Sequence, residues 1–203
     1  MALYDGHMPK IVDHNRRRRD LVEVAWRVVA RSGLEAMTLR DVAAEAGFAN
    51  GAIKPYFATK ASLVEATYSY VFERTNLRVA AAVEGLRGLD ALRVFGLEVL
   101  PLDSVRIDEA RVVIPFWQVA IHDPDKMEIN AAAMGEWRSS MSAWLGEARD
   151  AGEITADLPV ETLAEGLLTF LLGAQVAAVL DSGVNAPERL EAQLDAHLER
   201  LRP

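Results

Sequence analysis

The stretch that decides the fold runs from Thr38 to Lys60 and reads TLRDVAAEAGFANGAIKPYFATK. Its first half places apolar side chains on one face of a short helix, at Leu39, Val42, Ala43 and Ala46. Thr38 precedes this helix and Asp41 follows three residues later, a pattern close to a capping box. Gly47 is typical of a helix end, because glycine tolerates a left-handed backbone. The first half of the stretch therefore predicts one short, capped helix.

A second short apolar run follows at once, between residues 50 and 57. Ile53 and Phe57 lie four residues apart within it, which predicts a second short helix packed against the first. Two short helices joined by a tight, glycine-containing turn are typical of the helix-turn-helix, whose second helix enters the major groove of DNA. An ordinary helical hairpin in an all-α core has the same pattern, so both interpretations stay open on these residues alone.

The charge of the chain is divided unevenly between its two ends. The formal net charge is −8, which by itself argues against binding a polyanion. Residues 1–60, however, carry ten Lys or Arg against seven Asp or Glu, whereas residues 61–203 carry twelve against twenty-three. Phosphate contacts depend on local rather than total charge. The basic N-terminal part therefore favours a nucleic-acid interface over a plain hairpin.

Four adjacent arginines, Arg16, Arg17, Arg18 and Arg19, mark the start of the first amphipathic helix. They repel one another and place positive charge at a helix N-terminus, where the macrodipole disfavours it. A polyanionic partner would relieve both costs, so we predict phosphate contacts here; a solvated basic tail is the alternative. The residues before this run show no periodicity, and we expect residues 1–13 to form a flexible arm.

Composition places the chain among globular helical proteins. Hydrophobic residues make up 51% of its 203 residues, with 8 Pro, 13 Gly and no Cys, which leaves no disulfide or thiolate metal site. No signal peptide is recognisable, and Gly-His-Met at residues 6–8 is typical of a cloning remnant. The most apolar segment, residues 166–180, is too short and too polar to span a bilayer. We therefore expect a cytoplasmic protein with no membrane partner.

Helical patterns continue through the rest of the chain, without a convincing strand or repeat. Thr59 is the expected N-cap of a long helix whose buried face carries Leu63, Thr67, Tyr70 and Val71. Glycines and prolines then separate further helices. We predict an all-α fold of about nine helices. Its expected divisions are a helix-turn-helix module at residues 14–60 and a larger helical domain for ligand binding and dimerisation at residues 61–203.

The segment between residues 34 and 63 resembles the N-terminal domain of the TetR family of bacterial transcriptional regulators. The residues that carry this resemblance are Thr38, Val42-Ala43, Ala46-Gly47, Gly51, Ile53, Tyr56-Phe57 and Lys60. A weaker resemblance to the ligand-binding domain of the BetI-like branch rests on Leu100 to Asp103, Glu109, Arg111, Phe116 and Glu136 to Arg138. Together they imply a homodimer that binds operator DNA, a repressor by the family's default, and that responds to a small-molecule effector.

The resemblance also implies which side chains meet the DNA. Phosphate contacts are expected from the arginine run and from Thr38, Tyr56 and Lys60. Base contacts are expected from Arg40, Asn50, Ala52, Lys54 and Pro55, while Gly51 allows the backbone to approach closely. The remaining apolar residues of the stretch are expected in the core: Phe48, Ile53 and Phe57.

The centre of the stretch departs from the family pattern. Ala49 replaces the usual Ser or Thr, Lys54 replaces the usual Tyr, and Pro55 follows inside a very short helix. Ala49 cannot cap that helix, so Asn50 is the expected cap, and Pro55 removes a backbone donor. Ala61 also replaces the usual acidic residue. These changes affect the expected base contacts more than the fold.

The last two predicted helices, at residues 159–183 and 186–201, pair with their symmetry mates if the resemblance holds. Small and apolar residues at 163–180 suit close helix packing, although the central helix of a monomer has the same composition. The middle helices are expected to enclose an effector pocket. Its candidate lining residues are Phe95, Val99, Val113, Phe116, Trp117, His122, Met134, Trp137, Met141, Trp144, Phe170 and Gln175.

Plain core packing is the alternative role for each of these residues. Trp117, Trp137 and Trp144 also form a candidate aromatic cage for a quaternary ammonium group.

An enzyme and a protein-binding adaptor are the competing classes. His122 with Asp123 and Asp125 is a candidate metal cluster, in a chain of four histidines and no cysteine. These residues stand at a helix boundary beside Pro124, where aspartate is a common turn residue. We therefore predict no catalysis, no metal and no cofactor. A salt series separates a DNA binder from an adaptor, because DNA binding weakens steeply as salt rises.

Overall fold

Eight α-helices make up the chain in the computed structural model, which describes residues 14–49, 51–155 and 159–203. They are α1 His14–Ser32, α2 Leu39–Glu45, α3 Lys60–Ala82, α4 Gly88–Val99, α5 Ser104–Ala120, α6 Pro124–Asp150, α7 Val160–Leu180 and α8 Pro187–Glu199. Within those ranges there is no strand, and the prediction of an all-α fold is confirmed. The expected arm at residues 1–13 and the expected cap Asn50 lie outside the described residues.

Residues 51–57 of the predicted second helix are not helical, so that the described residues form eight helices where about nine were expected. Residues 51–56 form consecutive turns, in which the Lys54 N–H donates to the Gly51 carbonyl at 3.2 Å and the Tyr56 N–H to the Ile53 carbonyl at 2.9 Å. Pro55 has no N–H to continue a helical ladder. Gly51 has a φ of +88°, a left-handed value outside the helical range.

Side-chain caps begin α2 and α3 as predicted. The Asp41 N–H donates to the Thr38 hydroxyl oxygen at 3.2 Å, and that hydroxyl donates to the Asp41 carboxylate at 2.6 Å. Thr59 and Ser62 form a complete capping box at the start of α3. A cap of this kind stabilises a helix by about 1 kcal/mol. The start of each helix next to the turn segment is therefore held by its own sequence.

The buried side chains form two hydrophobic cores. The first unites α1, α2 and the turn segment, and it includes Val42, Ile53 and Phe57. The N-terminal half of α3 and three residues of α5 complete this core, namely Leu63, Val64, Tyr68, Val71, Val112, Phe116 and Ala120. The second core lies among α4, α6, α7 and α8, and α3 reaches it through Val79. The helices α3 and α5 therefore belong to both parts of the molecule.

The buried face of α3 differs from the predicted one at a single aromatic residue. Leu63, Thr67 and Val71 are buried as expected, but Tyr68 is buried and Tyr70 is only half-buried. The buried positions continue at Thr75 and Val79, which lie on the same helical stripe as Tyr68 and Val71. This turns the Tyr68 ring into the space between α3 and α5.

The helix α7 is apolar on nearly all sides. Its 21 residues, with a mean hydropathy of 1.8 over the most apolar stretch, are long and apolar enough to cross a membrane by length and composition alone. The segment that was expected to be too short for a bilayer, residues 166–180, is the C-terminal part of this longer helix. Core helices of water-soluble proteins have the same composition, and 39% of that stretch is buried inside the chain. The rest of its apolar face is left for another surface to cover.

Candidate nucleic-acid interface and internal cavity

Aromatic contacts join the start of α1 to the turn segment. The His14 ring stacks on Tyr56 at a centroid distance of 4.4 Å, and Tyr56 meets the edge of Phe48 at 5.9 Å. The Arg17 guanidinium lies over the Phe48 ring at 5.5 Å, a cation–π contact. The arginine run, predicted as a phosphate contact, thereby comes to the same surface as the predicted DNA-reading segment.

The four arginines lie within the first turns of α1, and all four are exposed. Arg18 lies over the Phe57 ring at 4.8 Å, so part of the run is packed on the helix-turn-helix core. These contacts distinguish the run from a freely solvated tail. No acidic residue lies in the first turn of α1 to offset the charge.

The other candidate DNA contacts divide by exposure. Arg40, Gly51, Lys54 and Pro55 are exposed, whereas Ala52, Tyr56 and Lys60 are half-buried. Asn50 is not among the described residues. The remaining aromatic and apolar residues of the stretch pack into the first core as predicted: Phe48, Ile53 and Phe57. The side chains free to reach a base edge are therefore concentrated on Arg40 in α2 and on the turns around Lys54.

Two of the predicted phosphate contacts already have partners within the chain. The Thr38 hydroxyl serves as the α2 cap, and the Lys60 ammonium donates to the Glu35 carbonyl at 3.0 Å. The ends of α1 and α2 are also joined by an ion pair between Arg31 and Glu45 at 2.6 Å. These contacts hold the short helix α2 against α1 and α3.

A narrow internal cavity lies between α3, α4, α5, α6 and α7, and together with the solvent space at its mouth it measures about 410 Å³. Six of the predicted pocket residues line it: Val99, Val113, Trp117, Met134, Trp137 and Gln175. Six lining residues were not predicted: Tyr68, Val71, Phe72, Thr75, Arg106 and Glu109. Four of these six residues lie on α3, at positions 68, 71, 72 and 75. Their helical spacing places them on one face, a signal from which the sequence could have predicted them.

The other predicted pocket residues lie elsewhere. Phe95 and Met141 are fully buried in the second core, and Trp144 packs on Phe95 at a centroid distance of 5.6 Å. Phe116 is fully buried in the first core. The ring of Phe170 in α7 packs at a tilt against His197 of α8, with a centroid distance of 4.4 Å. His122 lies in an open groove beside the α1–α2 loop. Of the three tryptophans of the candidate cage, Trp117 and Trp137 share the cavity and Trp144 does not line it.

A network of ion pairs closes one side of the cavity. The Arg78 guanidinium donates to both Glu109 carboxylate oxygens at 2.8 Å and to Glu98 at 3.3 Å. Arg106 donates to Glu98 and to Asp103, each at 2.7 Å. Burial lowers the pKa of Arg78, but the bonds to Glu109 and then Glu98 outweigh it and the pKa is raised overall. The charges of this network are therefore satisfied mainly by one another.

The Tyr68 ring joins the cavity to the first core. It stacks face to face on Phe116 at a centroid distance of 3.8 Å, and its hydroxyl donates to the Asn130 side-chain oxygen at 3.0 Å. Burial raises the pKa of Tyr68 to about 12, against a smaller opposite effect of a hydrogen bond from Trp117. The neutral phenol is therefore the form that the fold stabilises.

Tyr68 should make the protein lose stability between about pH 10 and pH 12, because an unfolded tyrosine ionises near pH 10 while the folded one keeps its proton. Its contribution is fully present below that window and is lost as pH rises through it, by up to about 2–3 kcal/mol. Urea denaturation of wild type and Y68F across this window measures the effect. Wild type should lose up to about 2–3 kcal/mol more than Y68F between pH 10 and pH 12, and an equal loss in both proteins would contradict the assignment.

Two protein families match this chain, one at its N-terminal part and one at its C-terminal part. Residues 21–67 match the model of the tetR family of bacterial regulatory proteins, and residues 88–203 match that of the BetI-type transcriptional repressor C-terminal domain. The regulator PksA of Bacillus subtilis is 29% identical over 96% of this chain and 94% of its own length.

Two solved structures have the same architecture. A transcriptional regulator from Rhodococcus sp. Rha1 is 28% identical, with a TM-score of 0.81 over 91% of this chain and 95% of its own. A regulator from Saccharomonospora viridis, solved in complex with choline, shares the fold at 20% identity, with a TM-score of 0.84 over 91% of this chain and 96% of its own.

These matches confirm the prediction of a DNA-binding regulator and of a protein that is not an enzyme. The second family match alone covers more than half of the 203 residues. The first covers most of α1, all of α2, the turn segment and the start of α3, and it includes the exposed Arg40 and Lys54. The chain therefore belongs to the TetR family of bacterial transcriptional regulators, with a C-terminal domain of the BetI type.

Proposed function

We propose that this regulator is a cytoplasmic repressor, which binds a pseudo-palindromic operator as a homodimer and leaves it when a small molecule fills the cavity. Residues 14–60 form its DNA-reading module, and residues 61–203 form its effector and dimerisation domain. The observation that carries the proposal is that the cavity and the first core are built on the same two helices. Tyr68 and Val71 of α3 contribute to both.

The shared helices give the cavity a mechanical route to the DNA-reading module. On α5, Phe116 packs in the first core while its neighbours Val113 and Trp117 line the cavity. A molecule that separates Trp117 from Tyr68 would shift the surface on which α1 rests. An energetic coupling of only about 1–3 kcal/mol would weaken operator binding by roughly five- to 150-fold. Such a molecule must bind the DNA-free conformation more tightly than the DNA-bound one. Equal affinity for both would leave the equilibrium between them unchanged.

The exposed side of α7 supports the homodimer. Its exposed residues recur at helical spacing along one stripe, at Thr162, Gly166, Thr169, Gly173 and Leu180. No atom outside the helix lies within 4 Å of the Cβ position at either glycine, so a second helix has room to approach. Leu180 is 80% exposed in the single chain, an unusual state for so large an apolar side chain. Pairing through residues 159–183 and 186–201 would cover this stripe.

The Saccharomonospora viridis regulator, which shares the fold, was solved in complex with choline, a small organic molecule. The cavity of this chain has aromatic walls, from Trp117, Trp137 and Tyr68. A small organic molecule is accordingly the class of effector that we propose. The polar side chains of the cavity determine which functional groups this effector carries.

Selection of bound fragments from random DNA with the purified protein tests the proposal. We expect a pseudo-palindrome, because one module reads few base pairs and a two-fold dimer reads two half-sites. Affinity should fall steeply between 50 and 200 mM salt, as for any interface built on phosphate contacts. Failure to enrich any sequence at low salt would overturn the proposal and favour the adaptor, which needs no DNA.

Lys54→Ala should weaken binding to the selected operator by about tenfold and relax its base preference, because one specific base contact supplies about 1–3 kcal/mol. Arg87→Ala is the matched control, since Arg87 is 82% exposed and lies in the loop before α4. Fluorescence anisotropy on the operator and on its single-base variants measures both quantities. If K54A keeps the wild-type base preference, Lys54 does not contact a base, and any contact that it makes with the DNA is to phosphate.

A further inference from the structure

Gln175 is a polar side chain on α7 without a partner. Its exposed fraction is 7%, it lines the internal cavity, and no hydrogen bond joins its carboxamide to any described residue. The carboxamide atoms are not sealed in the fold but keep accessible surface in the cavity that Gln175 lines, where a ligand can reach them. In a cavity, such a group is explained most directly by a bound molecule that supplies the missing bond.

The charged groups around the cavity are already committed to one another. Both Glu109 oxygens accept from Arg78 at 2.8 Å, and both terminal nitrogens of Arg106 donate to carboxylates at 2.7 Å. The Arg106 Nε–H is different, because it is buried and has no partner. Among the donors of the described residues that line the cavity, the Gln175 carboxamide therefore remains both accessible and without a partner, whereas the Arg106 Nε–H is sealed off.

A charged effector would have to break this network to find a counter-ion. A cation that recruited Glu109 would leave Arg78 without its closest partner, and separating a buried pair costs more than forming it gains. An anion would meet Arg106, whose charge two carboxylates already balance. A neutral oxygen acceptor fits the remaining donors without disturbing any ion pair.

The walls of the cavity specify the rest of the molecule. Four aromatic rings line it, from Tyr68, Phe72, Trp117 and Trp137. Rings of this size favour flat, apolar partners by stacking and edge contacts. The space between these rings is narrow in this conformation, so a flat ring system would have to separate the walls in order to enter.

We propose that the effector is a neutral, flat, largely apolar molecule with a carbonyl or hydroxyl oxygen, which accepts hydrogen bonds from the Gln175 carboxamide. This inference rests on the proposed function, in which the cavity is the effector site. Gln175 sets the selectivity for the oxygen, and the aromatic walls supply most of the affinity.

Calorimetric titration with three probes of similar shape tests the chemistry: 2-acetylnaphthalene, 2-isopropylnaphthalene and (2-naphthylmethyl)trimethylammonium. The ketone should bind about tenfold or more tightly than the hydrocarbon, because only it satisfies the unpaired donors. The quaternary ammonium should bind most weakly. Gln175→Leu should remove the advantage of the ketone and leave hydrocarbon binding unchanged or tighter.

Gln118→Leu is the matched control, because Gln118 is exposed on α5 and lies outside this cavity. It should keep the wild-type order of the probes. The inference is overturned if the ammonium probe binds most tightly, if Q175L weakens all three probes equally, or if none of the three binds.

Adding each probe to the protein–operator complex separates this inference from the proposed function. A ketone that binds in a Gln175-dependent manner without releasing DNA would count against effector control and leave the ligand chemistry standing. If the ammonium probe released the operator DNA instead, effector control would stand and the proposed ligand chemistry would be wrong.

Discussion

Replacing Phe116 by alanine should lower the free energy of unfolding by about 3–5 kcal/mol, the range for removing a fully buried aromatic side chain. Phe116 has no exposed surface and stacks on Tyr68 at 3.8 Å, so its loss leaves a void between α3 and α5. Both helices also build the first core, which limits how far they can close the void. Urea denaturation followed by circular dichroism at one fixed protomer concentration measures the change.

Val119→Ala is the control for this prediction. Val119 lies on the same helix and is 37% exposed, so the substitution should change stability by no more than about 0.5 kcal/mol. Phe116→Leu should fall between the two, because it keeps most of the buried volume. A cost for F116A no larger than that of V119A would mean that the Tyr68–Phe116 stack does not hold the two helices together.

The helices were predictable from the sequence because their signals are local. Thr38 and Thr59 cap their helices through the next turn, and the apolar spacing of Val42 and Ala43 needs no distant partner to be recognised. The same is true of the helix-turn-helix core, where Ile53 and Phe57 are buried as expected.

The turn segment shows where a local pattern was insufficient. The apolar spacing of Ile53 and Phe57 fits a helix, yet Pro55 removes a donor and Gly51 takes a left-handed φ. Successive turns bury these two apolar side chains as well as a helix would. The stack of His14 on Tyr56 packs against the turns from the outside. Periodicity therefore predicted which residues face the core, but not the backbone that presents Lys54.

The cavity was only half predictable, because it depends on how helices meet. Phe116 and Trp117 are neighbours of similar character, yet one is sealed in the first core and the other lines the cavity. Arg106 and Glu109 were missed since charged residues are ordinarily placed on the surface. Their burial depends on Arg78 of α3 and Glu98 of α4, which lie on other helices. Pairings of this kind cannot be recognised from one helix at a time.

The dimer proposal rests on the part of α7 that the single chain leaves uncovered. Gly173 is exposed near the middle of the stripe, and nothing lies within 4 Å of its Cβ position. A large side chain there meets no obstacle within the chain. It also replaces glycine inside a helix, which favours the helix by up to about 1 kcal/mol. A defect caused by such a substitution therefore cannot be ascribed to a damaged protomer.

Gly173→Arg should convert the protein to a monomer and weaken operator binding by about a hundredfold or more, because linked half-sites gain that much from effective concentration. Arginine would force a bulky charge between two helices that need close contact. Ala81→Arg, at an exposed small residue of α3, is the matched control and should remain dimeric with wild-type affinity. Analytical ultracentrifugation and anisotropy on the operator measure both properties. A dimeric G173R with full affinity would place the symmetry axis on another face, whereas a monomer with full affinity would show that operator binding does not require the dimer.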